Sequence, residues 1–134
     1  MIWFLDTNII VFCLRGKSPL AMNRLSATPT IDIRIPLQVH AELLVGAAKS
    51  NNPSQAKSLL LTYLSPFGIV WPDSAIEDGY VAIRTHLEAL GTPISEADLW
   101  IAATAQASGG TLVTNNTAEF SRVPNLAVED WTKP

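Results

Sequence analysis

Three carboxylates stand where the local pattern predicts that side chains turn inward. Asp6 follows the apolar run Ile2-Trp3-Phe4-Leu5 and precedes Thr7 and Asn8. Four large apolar residues in succession read as a short strand buried on both faces. Asp6 then falls at the strand's carboxyl end, the edge along which open α/β sheets bind their ligands. Glu42 shares a predicted helical face with Val39, Gly46 and Ala47, and Asp98 shares one with Ile101, Ala102 and Ala105, at spacings of three, four and seven. Several neighbours of these acids are small, which lets a ligand or backbone approach closely.

Inward carboxylates from distant segments suit a divalent cation. Two of them about 4 Å apart repel by roughly 4 kcal/mol at an effective dielectric of 20, and a bound cation offsets that cost. Hard oxygen donors select Mg²⁺ or Mn²⁺ over zinc. The two histidines do not help zinc: His40 lies about 200° round the helix from Glu42, and His86 borders a polar face. Each acid also has a structural alternative. Asp6 or Asn8 would cap a helix starting near Ile9, Asp98 would complement the dipole of its helix's first turn, and Glu42 would pair with a buried arginine. Three inward-pointing acids that served structure alone would need three separate cationic partners from only nine Lys and Arg. Other chemistries lack their residues. The first strand-to-helix turn carries Asp-Thr-Asn instead of glycines, no Gly-x-Ser-x-Gly is present, and Cys13 sits inside an apolar helix as a core residue.

The elements that must hold these acids alternate between helix and strand, which points to an α/β fold. Ile9–Leu14 is predicted helical, ending near Arg15-Gly16, and Pro19–Leu25 is a second short helix. Ile31-Asp32-Ile33-Arg34-Ile35 alternates with period two, predicting a strand near the sheet edge with one solvated face. A helix runs from Leu37 to about Lys49, and another, capped by Ser54, to about Leu64; its Leu59-Leu60-Leu61 run is wider than one core stripe requires. Phe67–Trp71 is a strand, and Asp73 or Ser74 caps an amphipathic helix to about Leu90. Ser95 starts a helix from Glu96 to Ser108 that is apolar nearly all round and therefore central. Thr111–Thr114 is a buried strand, Asn115-Asn116 opens a loop leading to Glu119-Phe120, and Ala127-Val128 is a last strand before Trp131.

The chain of 134 residues is read as a single domain, 1–134, large enough to bury a core without disulfides. Its 48% apolar content suggests surface reserved for a partner. A single cysteine, the absence of a signal-like leader and the lack of an apolar run long enough to span a bilayer predict a cytoplasmic protein without membrane contact. A net charge of -3 disfavours holding nucleic acid by charge alone, unless several acids are gathered into one metal pocket.

Leu5-Asp6-Thr7-Asn8, Ala41-Glu42-Leu43, Asp98-Leu99-Trp100-Ile101-Ala102-Ala103, and Leu112-Val113-Thr114-Asn115-Asn116 with Glu119-Phe120, in that order, resemble the PIN-domain ribonucleases. The short length is similar to their VapC toxin branch. The resemblance implies a three-layer α/β/α sandwich around a short parallel sheet, with Asp6, Glu42 and Asp98 holding Mg²⁺ or Mn²⁺. It implies cleavage of single-stranded RNA, often within a structured RNA such as a transfer RNA, by a metal-activated water that leaves a 5′-phosphate and a 3′-hydroxyl. Many relatives carry an aspartate where this chain has Asn116. Glu119 is the candidate replacement, and Asn116 to Glu119 also reads as a capping-box variant. Thr7, Asn8 and Thr114 are supporting residues, with Thr7 and Asn8 orienting Asp6. Arg15, Lys17, Arg24 and Lys49 are candidates for RNA phosphate contacts. The resemblance also implies a homodimer and a cognate VapB-like antitoxin that blocks the site groove with an apolar helix, in a higher hetero-oligomer. Two alternatives accompany this reading: an aspartyl-nucleophile phosphatase, which uses a second Asp where this chain has Asn8, and an inactive PIN-like binding module.

Overall fold

The computed structural model describes all residues, Met1–Pro134. Five short strands, β1 (Trp3–Leu5), β2 (Ile33–Pro36), β3 (Gly68–Val70), β4 (Thr111–Val113) and β5 (Ala127–Glu129), form one sheet in the order β3-β2-β1-β4-β5. Every neighbouring pair is parallel. Parallel neighbours need crossovers, and seven helices supply them: α1 (Thr7–Leu14), α2 (Pro19–Ala27), α3 (Leu37–Ala48), α4 (Pro53–Leu64), α5 (Ser74–Ala89), α6 (Glu96–Ala107) and the single-turn α7 (Thr117–Phe120). The central strands are buried on both faces. Phe4 and Leu5 of β1, and Leu112 and Val113 of β4, point to opposite sides of the sheet and are all inaccessible to solvent. Helical layers therefore cover both faces, giving the expected α/β/α sandwich.

The strand order creates the crevice. After β1 the chain proceeds outward through β2 to β3, whereas after β4 it proceeds the other way to β5. The switch point lies between β1 and β4, and connections leaving in opposite directions open a gap at their carboxyl ends. Leu5 pairs with Val113 in register, so Asp6 and Thr114 are the next residues on each strand and meet at the gap's floor. The Asp6 N–H donates to the Val113 carbonyl at 2.9 Å, extending the ladder by one bond. At the opposite end of β4, a Cβ on Gly110 would come within 2.5 Å of the Phe4 ring, so glycine permits the two central strands their close approach.

Two local expectations are corrected. β2 is an internal strand, not an edge, because Thr30–Asp32 forms a single 3₁₀ turn and leaves only Arg34 on a partly solvated face. The alternation that suggested an edge counted Asp32, which belongs to the turn. The cap of α4 is Asn52, whose side chain accepts from the Gln55 N–H, with Pro53 in the first turn; Ser54 lies within the helix. Proline is tolerated at the first helical position because it lacks an N–H that would be orphaned there anyway, and this places the cap one residue before it. Elsewhere the boundaries match closely: Asp73 caps α5, Ser95 caps α6, and Gly16 with φ 64° follows the end of α1.

Candidate active site

At Asp6 the backbone is extended, with φ -79° and ψ 162°, and the next residue begins α1. Its carboxylate is held on both sides. One oxygen accepts the Thr7 N–H at 2.8 Å, and the other accepts the Thr114 hydroxyl at 2.8 Å. Thr114 is fully buried, and its oxygen in turn accepts the Asn116 N–H at 3.0 Å. Asp6 therefore caps α1 and also stands in the crevice. Burial pushes its carboxyl above the usual range; the Thr114 and Thr7 hydrogen bonds oppose that rise and the charge of Glu42 adds to it.

Asp98 stands in the first turn of α6, which starts where the Ser95 hydroxyl oxygen accepts the Asp98 N–H at 3.2 Å. Ile101, Ala102 and Ala105, its expected companions, are buried. The carboxyl is pushed up to about 6, first by burial, then by a hydrogen bond with the Glu119 carboxyl and by repulsion from Asp6 and Glu119, against a lowering contribution from Ser95. Glu119 thus joins the site. The capping box offered as its alternative does not form: Asn116 makes no side-chain cap hydrogen bond to α7, and Glu119 turns to Asp98 instead.

Glu42 differs from expectation. Val39, Leu43 and Ala47 fill the buried stripe of α3, and Glu42, at the stripe's margin, is exposed. It remains at the crevice through one contact, the Thr7 hydroxyl donating to its carboxylate at 2.8 Å. Thr7 orients Asp6 through its backbone, as expected, but its hydroxyl serves Glu42. Asn8 does not orient Asp6; its amide donates to the Asn115 side chain at 3.4 Å, joining the first turn of α1 to the loop after β4. Asn115 is the contact that sequence reasoning missed, because its partner lies 107 residues away.

The acids are neighbours in pairs: Asp6 with Glu42, Asp6 with Asp98, and Asp98 with Glu119. No three of them converge on one point at coordinating distance. This corrects the expectation of a single meeting point, since like charges spread apart unless a cation offsets their repulsion. None has a basic partner. The ion pairs of the chain are Arg24–Glu129, Arg84–Glu88 and Arg84–Glu96, so the alternative in which each acid finds its own arginine fails. The donor set, carboxylate oxygens beside hydroxyls and amides with no His or Cys among them, fits a hard divalent cation.

A groove of about 370 Å³ leads away from this crevice between α1, α3 and α4. Thr7, Arg15, Glu42 and Ser50 are its polar lining, and Val11, Leu43, Ala47 and Leu60 are among its apolar walls. Of the basic residues proposed for phosphate contacts, Arg15 lines this groove, and Lys17 and Lys49 are exposed. Arg24 is committed elsewhere, bonded to Glu129 at 3.0 Å with its guanidinium 5.1 Å from the Trp131 ring centroid.

A family model described as PIN domain matches residues 3–126. The chain belongs to the PIN-domain family. Within that family it is 40% identical over 134 residues to Ribonuclease VapC2 of Rickettsia felis, a match covering 99% of this chain and 100% of that protein. It is 32% identical over 130 residues to the tRNA(fMet)-specific endonuclease VapC of Shigella flexneri, covering 97% and 98% of the two. Among solved structures, VapBC2 from Rickettsia felis bound to a DNA fragment from their promoter superposes with a TM-score of 0.90 at 39% identity, covering 98% of this chain and 99% of that one. These likenesses place the PIN domain in its VapC branch and set aside the phosphatase reading, for which Asn8 already lacked the second carboxylate. No helix of this PIN domain is long and apolar enough to cross a membrane.

Proposed function

We propose that this chain is a metal-dependent endoribonuclease, the toxin of a VapBC-type pair, cleaving single-stranded regions of RNA with transfer RNA as the favoured substrate class. The observation that carries the reading is the set of acids at the β1/β4 switch point. Asp98 adjoins both Asp6 and Glu119, Glu42 adjoins Asp6, and none has a cationic partner. A protein retains such an arrangement at a cost in stability where function requires it. The names of the Rickettsia felis and Shigella flexneri relatives support nuclease activity, and the second of them supports transfer RNA.

Asp6, Glu42 and Asp98, with Glu119 in place of the usual fourth acid, would hold Mg²⁺ or Mn²⁺. A cation there supplies acidity to the attacking water and neutralises charge developing on the scissile phosphate. The chain's own residues do the positioning. Thr7 and Thr114 fix both oxygens of Asp6, so that carboxylate needs no reorganisation when substrate arrives. Asp98, its carboxyl pushed up to about 6 by burial and by the neighbouring Glu119, still carries its charge at neutral pH. Asn116, its backbone N–H tied to Thr114, brings no charge to the site where many relatives carry an acid. Arg15, Lys17 and Lys49 are the remaining phosphate contacts.

The partner is a VapB-like antitoxin. The groove beside Glu42 has apolar walls with Glu42 and Arg15 among them, which suits an apolar helix flanked by charged residues. Leu59, 64% exposed, and Leu61, 39% exposed, extend apolar surface along α4. Inducing the chain alone in a bacterial host is expected to arrest growth and to produce new 5′-phosphate RNA ends within minutes, mapped by end sequencing. Co-expression of the adjacent antitoxin gene is expected to restore growth. Unchanged growth and an unchanged RNA-end profile at confirmed soluble expression would contradict the proposal.

A further inference from the structure

Thr7 touches two acids of the site by two different groups. Its backbone N–H donates to Asp6 at 2.8 Å, and its hydroxyl donates to Glu42 at 2.8 Å. The second bond crosses from the first turn of α1 to the middle of α3, and it is the only hydrogen bond made by the Glu42 side chain. Glu42 is exposed and has no ion pair, so nothing else restrains a side chain with three rotatable bonds. Immobilising such a chain carries an entropic cost at the moment of binding unless it is already held. Asp6 differs in having a second brace, Thr114.

We infer that the Thr7 hydroxyl is a positioning group for cation binding that acts through Glu42 alone. The inference rests on the proposed metal-dependent reading and extends it to one residue. Removing the hydroxyl leaves Asp6 capped by the same backbone N–H, so the fold at the head of α1 survives while Glu42 becomes free to swing into the groove. Hydrogen-bond partners behind metal ligands typically contribute 10–100-fold in affinity. An exposed brace belongs at the lower end of that range.

The probe is Mn²⁺ alone, titrated calorimetrically and by the rise in Tm it causes in the RNA-free protein. Thr7→Val, nearly isosteric, is expected to weaken Mn²⁺ binding about tenfold, and Thr7→Ser to bind as the unaltered chain does. In a Glu42→Gln background, Thr7→Val is expected to cause no further loss, because its effect passes through the missing carboxylate. Cleavage by Thr7→Val should fall at limiting Mn²⁺ and recover at saturating Mn²⁺, with KM for RNA unchanged. Equal Mn²⁺ affinity in Thr7→Val and the unaltered chain, or a full tenfold loss persisting on Glu42→Gln, overturns this inference alone. Failure of the unaltered chain to bind Mn²⁺ overturns it together with the metal-dependent reading. Should Thr7→Val fold poorly, Thr7→Ala in the same titrations decides between the same outcomes.

Discussion

Replacing Asp98 with Asn is expected to reduce RNA cleavage at least about a thousandfold while making the chelator-treated protein more stable. The two effects have one cause. Asp98 is half-buried in the first turn of α6 and faces Glu119 and Asp6, so its ionised form is disfavoured and its pKa rises from 3.8 to about 6. Asn keeps the backbone N–H that donates to Ser95, and its amide can donate to Glu119, so the local framework persists. What disappears is the charge needed to hold a cation.

The sign of the pH dependence follows. A carboxyl whose pKa is raised on folding contributes stability while protonated, in full below about 3.8, and that contribution is lost as pH rises through about 6. In EDTA, Asp98→Asn and the unaltered chain are therefore expected to melt together near pH 4 and to separate progressively toward pH 7. Discounted for the solvent screening of a half-exposed group, the separation is about 1 kcal/mol, or roughly 3 °C in Tm. A thermal melt series across that range checks it; a variant less stable than the parent at pH 7 would show that Asp98 serves as a structural cap.

Asp6 is expected to separate charge from scaffolding. Asp6→Asn and Asp6→Ala should both lose cleavage by a thousandfold or more, since either removes the buried carboxylate at the switch point. Their stabilities should diverge. Asn retains an oxygen to accept the Thr7 N–H and keeps a polar group against Thr114, so Asp6→Asn should melt above Asp6→Ala. Alanine leaves the first amide of α1 uncapped and the buried Thr114 hydroxyl without an acceptor, which costs about 2 kcal/mol, or roughly 6 °C in Tm. Circular dichroism melts of the two variants beside cleavage assays test both halves. Equal stabilities would mean that the Thr7 N–H cap on Asp6 carries no structural weight.

Much of this arrangement was legible in the residues because it depends on short-range pattern. An apolar run ending at Asp6, a small-residue helix around Asp98 and a strand leading into Asn115-Asn116 each announce themselves within a dozen positions. The β1/β4 switch point was not legible, because alternating elements and right-handed crossovers leave several strand orders open. What escaped was settled by partners far along the chain. The spacing of Glu42 from Val39 predicts an inward side chain, yet a helix has margins as well as faces, and Leu43 beside it takes the buried place. Its position at the site depends on a hydroxyl 35 residues away. The Asn116–Glu119 spacing was ambiguous between cap and acid, and only the approach of α6 to α7 turned Glu119 toward Asp98. Arg24 read as a free cation until β5 and Trp131 packed against α2.

The most direct test of a divalent-cation nuclease is cleavage of transfer RNA by the purified chain in Mg²⁺ or Mn²⁺, in EDTA, and after the cation is restored. Defined cleavage is expected with either ion, with loss of cleavage in EDTA, recovery on adding the ion back, and Asp98→Asn inactive throughout. Cleavage that continues undiminished in EDTA, or that survives Asp98→Asn, would contradict the metal-dependent reading.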